Sequence, residues 1–553
     1  MSHIKEDNSY VIHGPEPAVP LGLQTVGNEI LKTLQSLPQG RLAMIDAFTG
    51  EKLLSSQLLQ NAINLATALK FHGYYGQSTV LSISSSNSLD FFVPILASFF
   101  NGTIMAPLNH TYTPYELNHV IRIGCAKVIF CSEEVLPKYV ELKKSVGFIE
   151  RIVSLSSNVS EEFREDVETL KEFVSRALKG ANARMETFEV YQGKSDKTAA
   201  LILCSSGTTG LPKGVALSHL NLSVRISHSR DPQYVPSTYQ NVLGLMPFFH
   251  AFGLLTTFSA LLNGQTVICL KHFDEDVFLR SIQDYKIKNL TLAPPLAVFL
   301  AKSPKVLRYD LSSITDVYCG AAPLSANTEE EVKQRLKCDA VRQAYGLTET
   351  TLSVTLVGRN EAKRGSCGKV MSFISCKVRD PETGRSLGPN QVGELCWKGP
   401  SMMMGYYKNE KATKEIFTPD GWLKSGDLGY YDEERYFYII DRLKELIKYK
   451  GYQVAPAELE AIILNHPAVI DVGVVGLPDE RVGERPLAFV VKKEDADITA
   501  EQLKKYVADM VSPQKRLSGG VVFVDSIPKN PSGKILRRQL REYLKKYITK
   551  AKL

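Results

Sequence analysis

Short β-favouring runs alternate with longer helical patterns over residues 20–190, and this alternation most constrains the fold. Thr79–Ile83 predicts a buried strand, Leu89–Phe100 a helix, and Glu161–Lys179 a charged surface helix. The alternation returns between Asn241 and Cys319. Strands separated by helices form parallel sheets with helices on their faces. The chain is therefore predicted to be an α/β protein.

The pattern of predicted elements changes near Lys369. From there, short strands and turns predict a small antiparallel barrel-like unit. Further on, a predicted helix at Pro456–Leu464 and three strands indicate a compact α+β unit. A chain of 553 residues is too long for one core. We therefore predict a large N-terminal domain, residues 1–441, built of α/β subdomains plus the antiparallel unit, and a small C-terminal domain, residues 442–553.

Charge and hydropathy limit the possible partners. The net charge of +7 is spread along the chain, and the basic stretch Lys534–Lys552 has the leucine spacing of an amphipathic helix with a solvated face. Nucleic acid is therefore not an expected partner. The longest apolar runs, such as Phe91–Phe100, are about half a membrane span. No transmembrane segment is predicted.

Cysteine usage and the last three residues predict the compartment. Nine cysteines without a Cys-x-x-Cys pair argue against a disulfide framework or zinc site and favour a reducing compartment. Ala551-Lys552-Leu553 is similar to the Ser-Lys-Leu peroxisomal signal. This tripeptide predicts import into peroxisomes, with the import receptor as a partner.

A glycine-rich stretch, Ser205–Gly214, joins two β-favouring runs and reads Ser-Ser-Gly-Thr-Thr-Gly-Leu-Pro-Lys-Gly. Glycines permit close backbone approach, and hydroxyls, freed N–H groups and a lysine together suit a phosphate. It is not a Walker A loop, because Gly214 and Val215 follow the lysine. A flexible linker stays open as the alternative. The candidate phosphate-binding residues are Ser205, Ser206, Gly207, Thr208, Thr209, Gly210 and Lys213.

Three charged residues in or near other loops are candidates for binding a nucleotide. Glu349, beside Thr348, suits Mg²⁺ held together with substrate phosphates, although a surface acid is equally consistent. Asp427 follows Ser-Gly and could accept hydrogen bonds from ribose hydroxyls or form a simple Asx-turn. Arg442 could bind ribose or phosphate, or make a surface salt bridge.

Three further residues are candidate catalytic groups. His250 stands at a predicted strand-to-helix turn, where it could contact a substrate or only begin the helix. Lys534, in Pro-Ser-Gly-Lys, and Lys448 could neutralise charge in a transition state or be solvated. No catalytic serine triad is supported by the sequence, and no His-Glu-x-x-His motif is present. Chemistry by positioning and electrostatics, as in phosphoryl or nucleotidyl transfer, is therefore favoured.

Five of these motifs occur in one order along nearly the whole chain: Ser205–Gly214, Tyr345–Thr350, Ser425–Asp427, Asp441–Lys444 and Pro531–Lys534. Together they resemble the adenylate-forming superfamily of acyl-CoA synthetases, coumarate ligases and beetle luciferases. The likeness is strongest to beetle luciferases and luciferase-like fatty acyl-CoA synthetases.

The resemblance implies a carboxylate that attacks the α-phosphate of Mg-ATP, followed by transfer of the acyl group from the adenylate to coenzyme A. It implies that Ser205 to Lys213 hold the β- and γ-phosphates, and that Lys534 stabilises charge during adenylation. It also implies a mobile C-terminal domain that rotates about Lys444 and presents Lys448 for the second step. The residues that it places around the α-phosphate, magnesium, ribose and adenine are Thr348, Glu349, Asp427, Arg442, Gly320, Ala321, Ala322, Pro323, Tyr345 and Gly346.

The departures from the beetle luciferase pattern concern the acyl pocket. Ala251 and Ala321 stand where luciferases usually have glycine, and Leu352 stands where they usually have serine, whereas Arg225 matches the pattern. Ala251, Ala321 and Leu352 predict a more apolar pocket for an acyl chain, and Arg225 and Phe252 are also predicted to line it. The resemblance therefore implies a medium- or long-chain fatty acyl-CoA synthetase. A luciferin monooxygenase, a 4-coumarate-CoA-ligase-like enzyme and a silent nucleotide-binding scaffold stay open as alternatives.

Overall fold

The computed structural model describes residues 9–22, 24–205, 212–235, 240–358, 361, 363–450, 452–479, 481–494, 496–531 and 533–551, without the side chains of 545–551. Two sets of predictions lie outside these residues. They are the middle of the glycine-rich stretch (Ser206, Gly207, Thr208, Thr209 and Gly210) and the targeting tripeptide, of which only the backbone of Ala551 is described. Among the described helices, none is long and apolar enough to cross a membrane.

The strands are β1 (Ile12–His13), β2 (Leu42–Asp46), β3 (Lys52–Leu54), β4 (Val80–Ser84), β5 (Ile104–Pro107), β6 (Val128–Cys131), β7 (Arg151–Ser154), β8 (Val167–Thr169), β9 (Ala199–Ser205), β10 (Lys213–Ser218), β11 (Asn241–Gly244), β12 (Thr266–Cys269), β13 (Asn289–Leu292), β14 (Asp316–Cys319), β15 (Ala340–Leu347), β16 (Leu352–Leu356), β17 (Lys369–Val370), β18 (Ser375–Arg379), β19 (Ser386–Leu387), β20 (Gly393–Lys398), β21 (Gly405–Tyr406), β22 (Leu423–Tyr431), β23 (Phe437–Arg442), β24 (Ile447–Tyr449), β25 (Tyr452–Val454), β26 (Val469–Asp479), β27 (Gly483–Lys492) and β28 (Gly520–Phe523).

The helices are α1 (Gly27–Ser36), α2 (Ser55–Phe71), α3 (Phe92–Asn101), α4 (Pro114–Gly124), α5 (Leu136–Ser145), α6 (Leu170–Leu178), α7 (His219–Arg230), α8 (Ala251–Leu262), α9 (Glu275–Asp284), α10 (Pro294–Lys302), α11 (Ala326–Leu336), α12 (Glu410–Ile416), α13 (Pro456–Leu464), α14 (Ala500–Ala508) and α15 (Arg537–Ala551).

Two large sheets form most of the N-terminal domain. One runs β21-β10-β9-β5-β4-β6-β7-β8, and the other runs β17-β16-β15-β14-β13-β11-β12-β2-β3. Their central strands pair in parallel, as the alternation of strands and helices predicts, and antiparallel pairs occur at the edges. Helices α2, α3 and α8 contribute to one core with strands of both sheets. Every residue of α3 is buried, because its sequence is apolar on all sides.

A prediction for the edge of the first sheet is wrong. Instead of one helix over Glu161–Lys179, a 3₁₀ turn at Glu161–Phe163 precedes β8 and α6. The reason is a capping box: Thr169 Oγ1 accepts a hydrogen bond from the N–H of Glu172, and the carboxylate of Glu172 accepts one from the N–H of Thr169. The reciprocal bonds fix the start of α6 after Thr169.

The remaining two sheets are smaller. The antiparallel unit runs β1-β18-β20-β22-β23, with β19 beside β18, and packs around the buried side chains of Trp397 and Phe437. The C-terminal domain contains β25-β24-β27-β26, with β28 beside β27. Helices α13 and α15 pack on β26. The antiparallel unit and the helix at Pro456–Leu464 are thus confirmed, and the whole is a large α/β domain followed by a small α+β domain.

Candidate active site

A cavity of about 520 Å³ opens where the second large sheet, the antiparallel unit and the C-terminal domain meet. This volume lies within the range of small-molecule sites, about 300–1,000 Å³. Loops at the carboxyl ends of strands β14 and β15 contribute to its wall, as is usual for ligand sites of α/β sheets. The predicted site residues that line it are Ser205, Lys213, Arg225, His250, Phe252, Gly320, Ala321, Gly346, Thr348, Glu349, Leu352, Arg442 and Lys534.

Asp427 lies at one side of this cavity between two partners. It faces Arg442 across strands β22 and β23, and Nε of Arg442 is 3.1 Å from its Oδ1. The hydroxyl of Tyr345 donates to Oδ2 at 2.6 Å. Asp427 itself is 3% exposed, whereas Arg442 and the adjoining Ser425 reach the cavity. The carboxylate is therefore held in a fixed orientation by a positive charge and a hydroxyl.

Glu349 and Lys213 meet at the ring of Tyr406, a residue that sequence reasoning missed. The hydroxyl of Tyr406 donates to Oε1 of Glu349 at 3.0 Å, and Nζ of Lys213 lies 4.7 Å from the ring centroid. Lys213 begins β10 directly opposite Ser205 on β9. Within the described part of the chain, the buried hydroxyl of Ser205 has no hydrogen-bond partner. A carboxylate, an ammonium and an unpaired hydroxyl thus lie close together.

A tight turn places Thr348, Glu349 and Leu352 on the cavity wall. Thr350 Oγ1 accepts the N–H of Leu347 at 2.8 Å and donates to the carbonyl of Leu352 at 2.8 Å. Leu352 has a φ of 84°, and a Cβ on Gly346 would lie 1.7 Å from the oxygen of Leu352. A leucine in the left-handed region is unusual and costs conformational energy. A side chain at position 346 would collide with the carbonyl of Leu352, so this turn requires glycine there.

His250 begins α8, which then runs along the cavity. Its Nδ1 accepts the N–H of Phe252 at 3.3 Å, so it caps the helix while its ring faces the site. Burial, with a smaller contribution from the charge of Lys534, lowers the pKa of His250 to about 4. The imidazole is therefore neutral near pH 7. The helix cap is present, and contact of His250 with a substrate stays a prediction.

Lys534 reaches the cavity from the C-terminal domain. Its N–H donates to Oδ1 of Asn530 at 2.8 Å, and its carbonyl accepts the N–H of Asn530 at 2.9 Å. Gly533 has a φ of 82° and packs so closely on the N-terminal domain that a Cβ would lie 3.1 Å from Pro295 Cγ. Burial, and next the charge of Arg442, lower the pKa of Lys534 to about 8.

Several predicted site residues do not line the cavity. Lys448 is exposed, and its N–H donates to Glu484 on β27 at 2.9 Å. Ala322 and Pro323 follow the lining residues Gly320 and Ala321 in the chain but do not line the cavity themselves. Tyr345 does not line it either, but its hydroxyl donates a hydrogen bond to Asp427 at the side of the cavity. This arrangement brings together the residues predicted for the first reaction and leaves Lys448 apart.

The part of the cavity along α7 and α8, where the sequence predicts an acyl pocket, is less apolar than that prediction. Thr256 lines it on α8, Asn263 lines it directly after the end of α8, and Arg225 lines it on α7. The hydroxyl of Thr256 donates to the carbonyl of Phe252, a bond within the helix. Arg225 is a predicted pocket residue, whereas Thr256 and Asn263 were missed, because helical spacing does not distinguish a face packed on a core from one that faces a cavity.

The predicted Mg²⁺ site offers few protein ligands. In the described ranges, no cluster of three or more His, Cys, Asp or Glu side chains could hold a metal ion. Glu349 supplies a single carboxylate on the cavity wall. This donor set suits Mg²⁺ that arrives with substrate phosphates and keeps most of its ligands from them and from water.

Comparison with known proteins assigns the family. The model of the AMP-binding enzyme family matches residues 32–407, and that of the AMP-binding enzyme C-terminal domain matches residues 458–534. The chain therefore belongs to the AMP-binding enzyme family, the adenylate-forming enzymes that include acyl-CoA ligases and luciferases. This confirms the resemblance carried by the five motifs.

Individual relatives cover nearly the whole chain. Luciferin 4-monooxygenase of Photinus pyralis is 42% identical over 546 residues, which cover 98% of each protein. Peroxisomal OPC-8:0-CoA ligase 1 of Arabidopsis thaliana is 37% identical over 511 residues, covering 91% of this chain and 90% of the ligase. The crystal structure of ATP-bound MatB from Rhodopseudomonas palustris superposes with a TM-score of 0.81 at 27% identity, covering 94% of this chain and 98% of that one.

Proposed function

We infer that this protein is an ATP-dependent fatty acyl-CoA synthetase for medium- or long-chain acids. The observation that carries the proposal is the position of Lys534, which enters the cavity that also contains Glu349, Lys213 and Arg442. From these charged residues the cavity continues along α8 past Phe252. One end thus suits a nucleotide and the other a carboxylic acid. Relatives named as CoA ligases and an ATP-bound neighbour support this function.

In the proposed first step, a carboxylate oxygen of the acid attacks the α-phosphorus of ATP, and the bond to pyrophosphate breaks. Ser205 and Lys213 would hold the departing phosphates, and the ammonium of Lys534 would stabilise the charge that develops. Thr348 and Glu349 would bind the α-phosphate and Mg²⁺, which neutralises phosphate charge when bound. Little covalent chemistry is required of the protein, since positioning and electrostatics carry such reactions.

The nucleoside would lie beside the antiparallel unit. Asp427, oriented by Arg442 and Tyr345, offers a carboxylate oxygen to ribose hydroxyls. Gly320 and Ala321 would flank the adenine, because they line the cavity at the carboxyl end of β14.

In the proposed second step, the thiol of coenzyme A attacks the acyl carbon of the adenylate, and AMP leaves. We place the domain boundary after Asp441, with residues 442–553 rotating about Lys444. The exposed Lys448 would then approach the site as Lys534 leaves it. The different exposure of the two lysines supports this proposal.

A substrate panel tests the proposed function. Purified protein is incubated with Mg-ATP, coenzyme A and straight-chain acids of increasing length, and AMP and acyl-CoA are measured by chromatography. The proposal predicts equimolar AMP and acyl-CoA, dependent on the acid, and a loss of at least about 100-fold in Lys534→Ala. The proposal would be refuted if none of the acids in the panel led to AMP formation.

Luciferin monooxygenation is a second candidate, because luciferases are among the relatives most similar to this chain. Both functions use the same adenylation residues and differ in the acid that is bound. Leu352 and Ala251 line the cavity where luciferases usually have smaller or polar residues. Light emission from luciferin and Mg-ATP, measured beside the acyl-CoA assay, separates the two functions. Emission that exceeds thioester formation in rate would reverse their order.

We also propose a peroxisomal location, which the name of the Arabidopsis ligase supports. A fluorescent fusion to the N-terminus, with and without Ala551-Lys552-Leu553, tests it in cells. Punctate fluorescence that coincides with a peroxisomal marker, and becomes diffuse after deletion, is the expected result. Diffuse fluorescence of the full chain would contradict the proposal.

A further inference from the structure

Arg225 is a charged residue of the cavity that the proposed reaction does not use. It lies on α7 and lines the cavity. Its Nε is buried and has no hydrogen-bond partner. Across the described parts of the chain, no carboxylate lies within ion-pair distance of its guanidinium, although ion pairs occur elsewhere on the same helix, as between Arg230 and Glu29. Arg225 therefore presents an uncompensated positive charge to the cavity.

The side chains near Arg225 cannot supply the missing anion. His228, one turn further along α7, donates from Nε2 to the carbonyl of Ser372 at 2.9 Å. Burial lowers the pKa of His228 to about 4, so the ring is neutral. Ser229 donates its hydroxyl to the carbonyl of Ile226. An arginine stays protonated even when buried, and a buried charge without a counter-ion is costly.

The position of Arg225 separates it from the nucleotide end of the site. His250 and Lys534 mark that end, and α8 leads away from it. From Phe252 to Leu262 the helix spans nearly three turns, about 15 Å at the usual rise per residue. At the far end, Asn263 donates to the carbonyl of Ser229, one turn beyond Arg225 on α7.

The arginines at the two ends of the cavity also differ in whether a carboxylate pairs with them. Arg442, at the nucleotide end, already pairs with Asp427, whereas Arg225 has no such partner among the described residues. The anion that Arg225 lacks is therefore expected in the distal part of the acyl pocket rather than on ATP.

We propose that Arg225 selects acids that carry a second carboxylate at their ω end, so that the preferred substrates are α,ω-dicarboxylic acids of medium length. This inference rests on the proposed function, in which the first carboxylate is the one that is adenylated. The guanidinium can bind the second carboxylate through two parallel hydrogen bonds. A methyl-ended acid of the same length leaves the charge unpaired, and sites with unpaired polar groups discriminate strongly against such analogues.

The kinetic test compares decanedioic acid, its monomethyl ester and decanoic acid as substrates of the full chain. The wild type is expected to favour decanedioic acid by at least about tenfold in kcat/KM. Arg225→Gln should remove this preference. Arg230→Gln, which neutralises an arginine on the same helix that pairs outside the cavity, should retain it. A wild type that favours decanoic acid, or a preference unchanged by Arg225→Gln, would overturn the proposal.

A binding test keeps this inference separate from the proposed function. Decanedioate and decanoate are titrated into the protein by calorimetry without ATP or coenzyme A. Binding of decanedioate at least about tenfold tighter, and lost in Arg225→Gln, supports the inference even if no acid is adenylated and the proposed function fails. Equal binding of the two acids overturns the inference even if decanoic acid proves to be a good substrate.

Discussion

Nε of Arg442 lies 3.1 Å from Oδ1 of Asp427, and the two residues face each other on adjacent antiparallel strands. The ion pair holds the carboxylate of Asp427 in a fixed orientation at the edge of the cavity. If this carboxylate binds ribose, Asp427→Asn should weaken ATP binding, because an amide gives only a neutral hydrogen bond. The expected loss is about 2 kcal/mol, or roughly 30-fold in KM for ATP in pyrophosphate exchange.

Asp432→Asn is the control for this variant, because Asp432 follows the same strand β22 and pairs with Lys363 away from the cavity. It should leave the KM for ATP near the wild-type value. An unchanged KM in Asp427→Asn would show that the Asp427–Arg442 pair is structural and does not bind nucleotide.

Adenylation should depend on pH through Lys534. The pKa of this lysine is lowered to about 8, so the ammonium predominates below pH 8 and is lost as the pH rises through that value. Because the ammonium is the form proposed to stabilise the transition state, kcat/KM for ATP should fall above about pH 8. Lys534→Arg, whose guanidinium stays protonated, should show a lower but flat profile over the same range. A wild-type profile that stays level to about pH 10 would argue against the role of Lys534.

Lys213 should matter for the first half-reaction only. It lies beside Glu349 and Tyr406, where it would contact the phosphates that leave as pyrophosphate. Lys213→Ala should therefore slow adenylation by at least about tenfold and leave thioester formation from preformed acyl-adenylate nearly unchanged. Rapid-quench measurement of each half-reaction tests this. Equal slowing of both steps would mean that the glycine-rich stretch does not hold the pyrophosphate.

Helix α13 of the C-terminal domain is held at both ends by the N-terminal domain. Oδ2 of Asp441 accepts the N–H of Ala457 at 2.8 Å near its start, and Nζ of Lys302 donates to the carbonyl of Leu464 at 3.2 Å at its end. An acidic residue at the start of the helix and a basic residue at its end both interact favourably with the helix dipole. The two contacts therefore stabilise the arrangement in which Lys534 enters the cavity.

Lys302→Met should weaken this arrangement by about 0.3–1 kcal/mol, and adenylation should slow by up to about fivefold. Thioester formation from preformed acyl-adenylate should be unchanged or faster, since that step uses the other domain orientation. Lys305→Met is the matched control, because Lys305 pairs with Glu275 and Asp276 within the N-terminal domain. If both variants slow both half-reactions alike, α13 does not control the domain orientation.

Much of the fold could be predicted from sequence patterns, because strands, helices and their boundaries depend largely on neighbouring residues in the chain. The alternation of strands and helices gave the parallel sheets, and Pro456 marked the start of α13. The prediction of one helix over Glu161–Lys179 was wrong because it relied on the charged composition of this segment. The capping box at Thr169, a local hydrogen-bond pattern, decides where the helix begins. Beyond Ala251 and Phe252, the cavity-lining residues of α8 could not be predicted, since burial against a core and exposure to a cavity give the same helical spacing.

The candidate site was predicted where loops carry unusual combinations of glycine, hydroxyl and charge, as at Glu349, Asp427 and Lys534. Tyr406 and Asn530 were missed, because their roles come from contacts with residues distant in the sequence. The unpaired state of Arg225 is likewise a property of three-dimensional packing. A lone arginine in a helix gives no sign of whether a carboxylate faces it.

The most direct test of the account follows the carboxylate oxygen of the acid. A fatty acid whose carboxylate carries heavy oxygen is incubated with Mg-ATP, coenzyme A and the protein, and the AMP and pyrophosphate are examined by mass spectrometry. Attack of the carboxylate on the α-phosphorus predicts that heavy oxygen appears in AMP and that none appears in pyrophosphate. AMP formed without the label, or label in pyrophosphate or inorganic phosphate, would contradict the proposed acyl-adenylate.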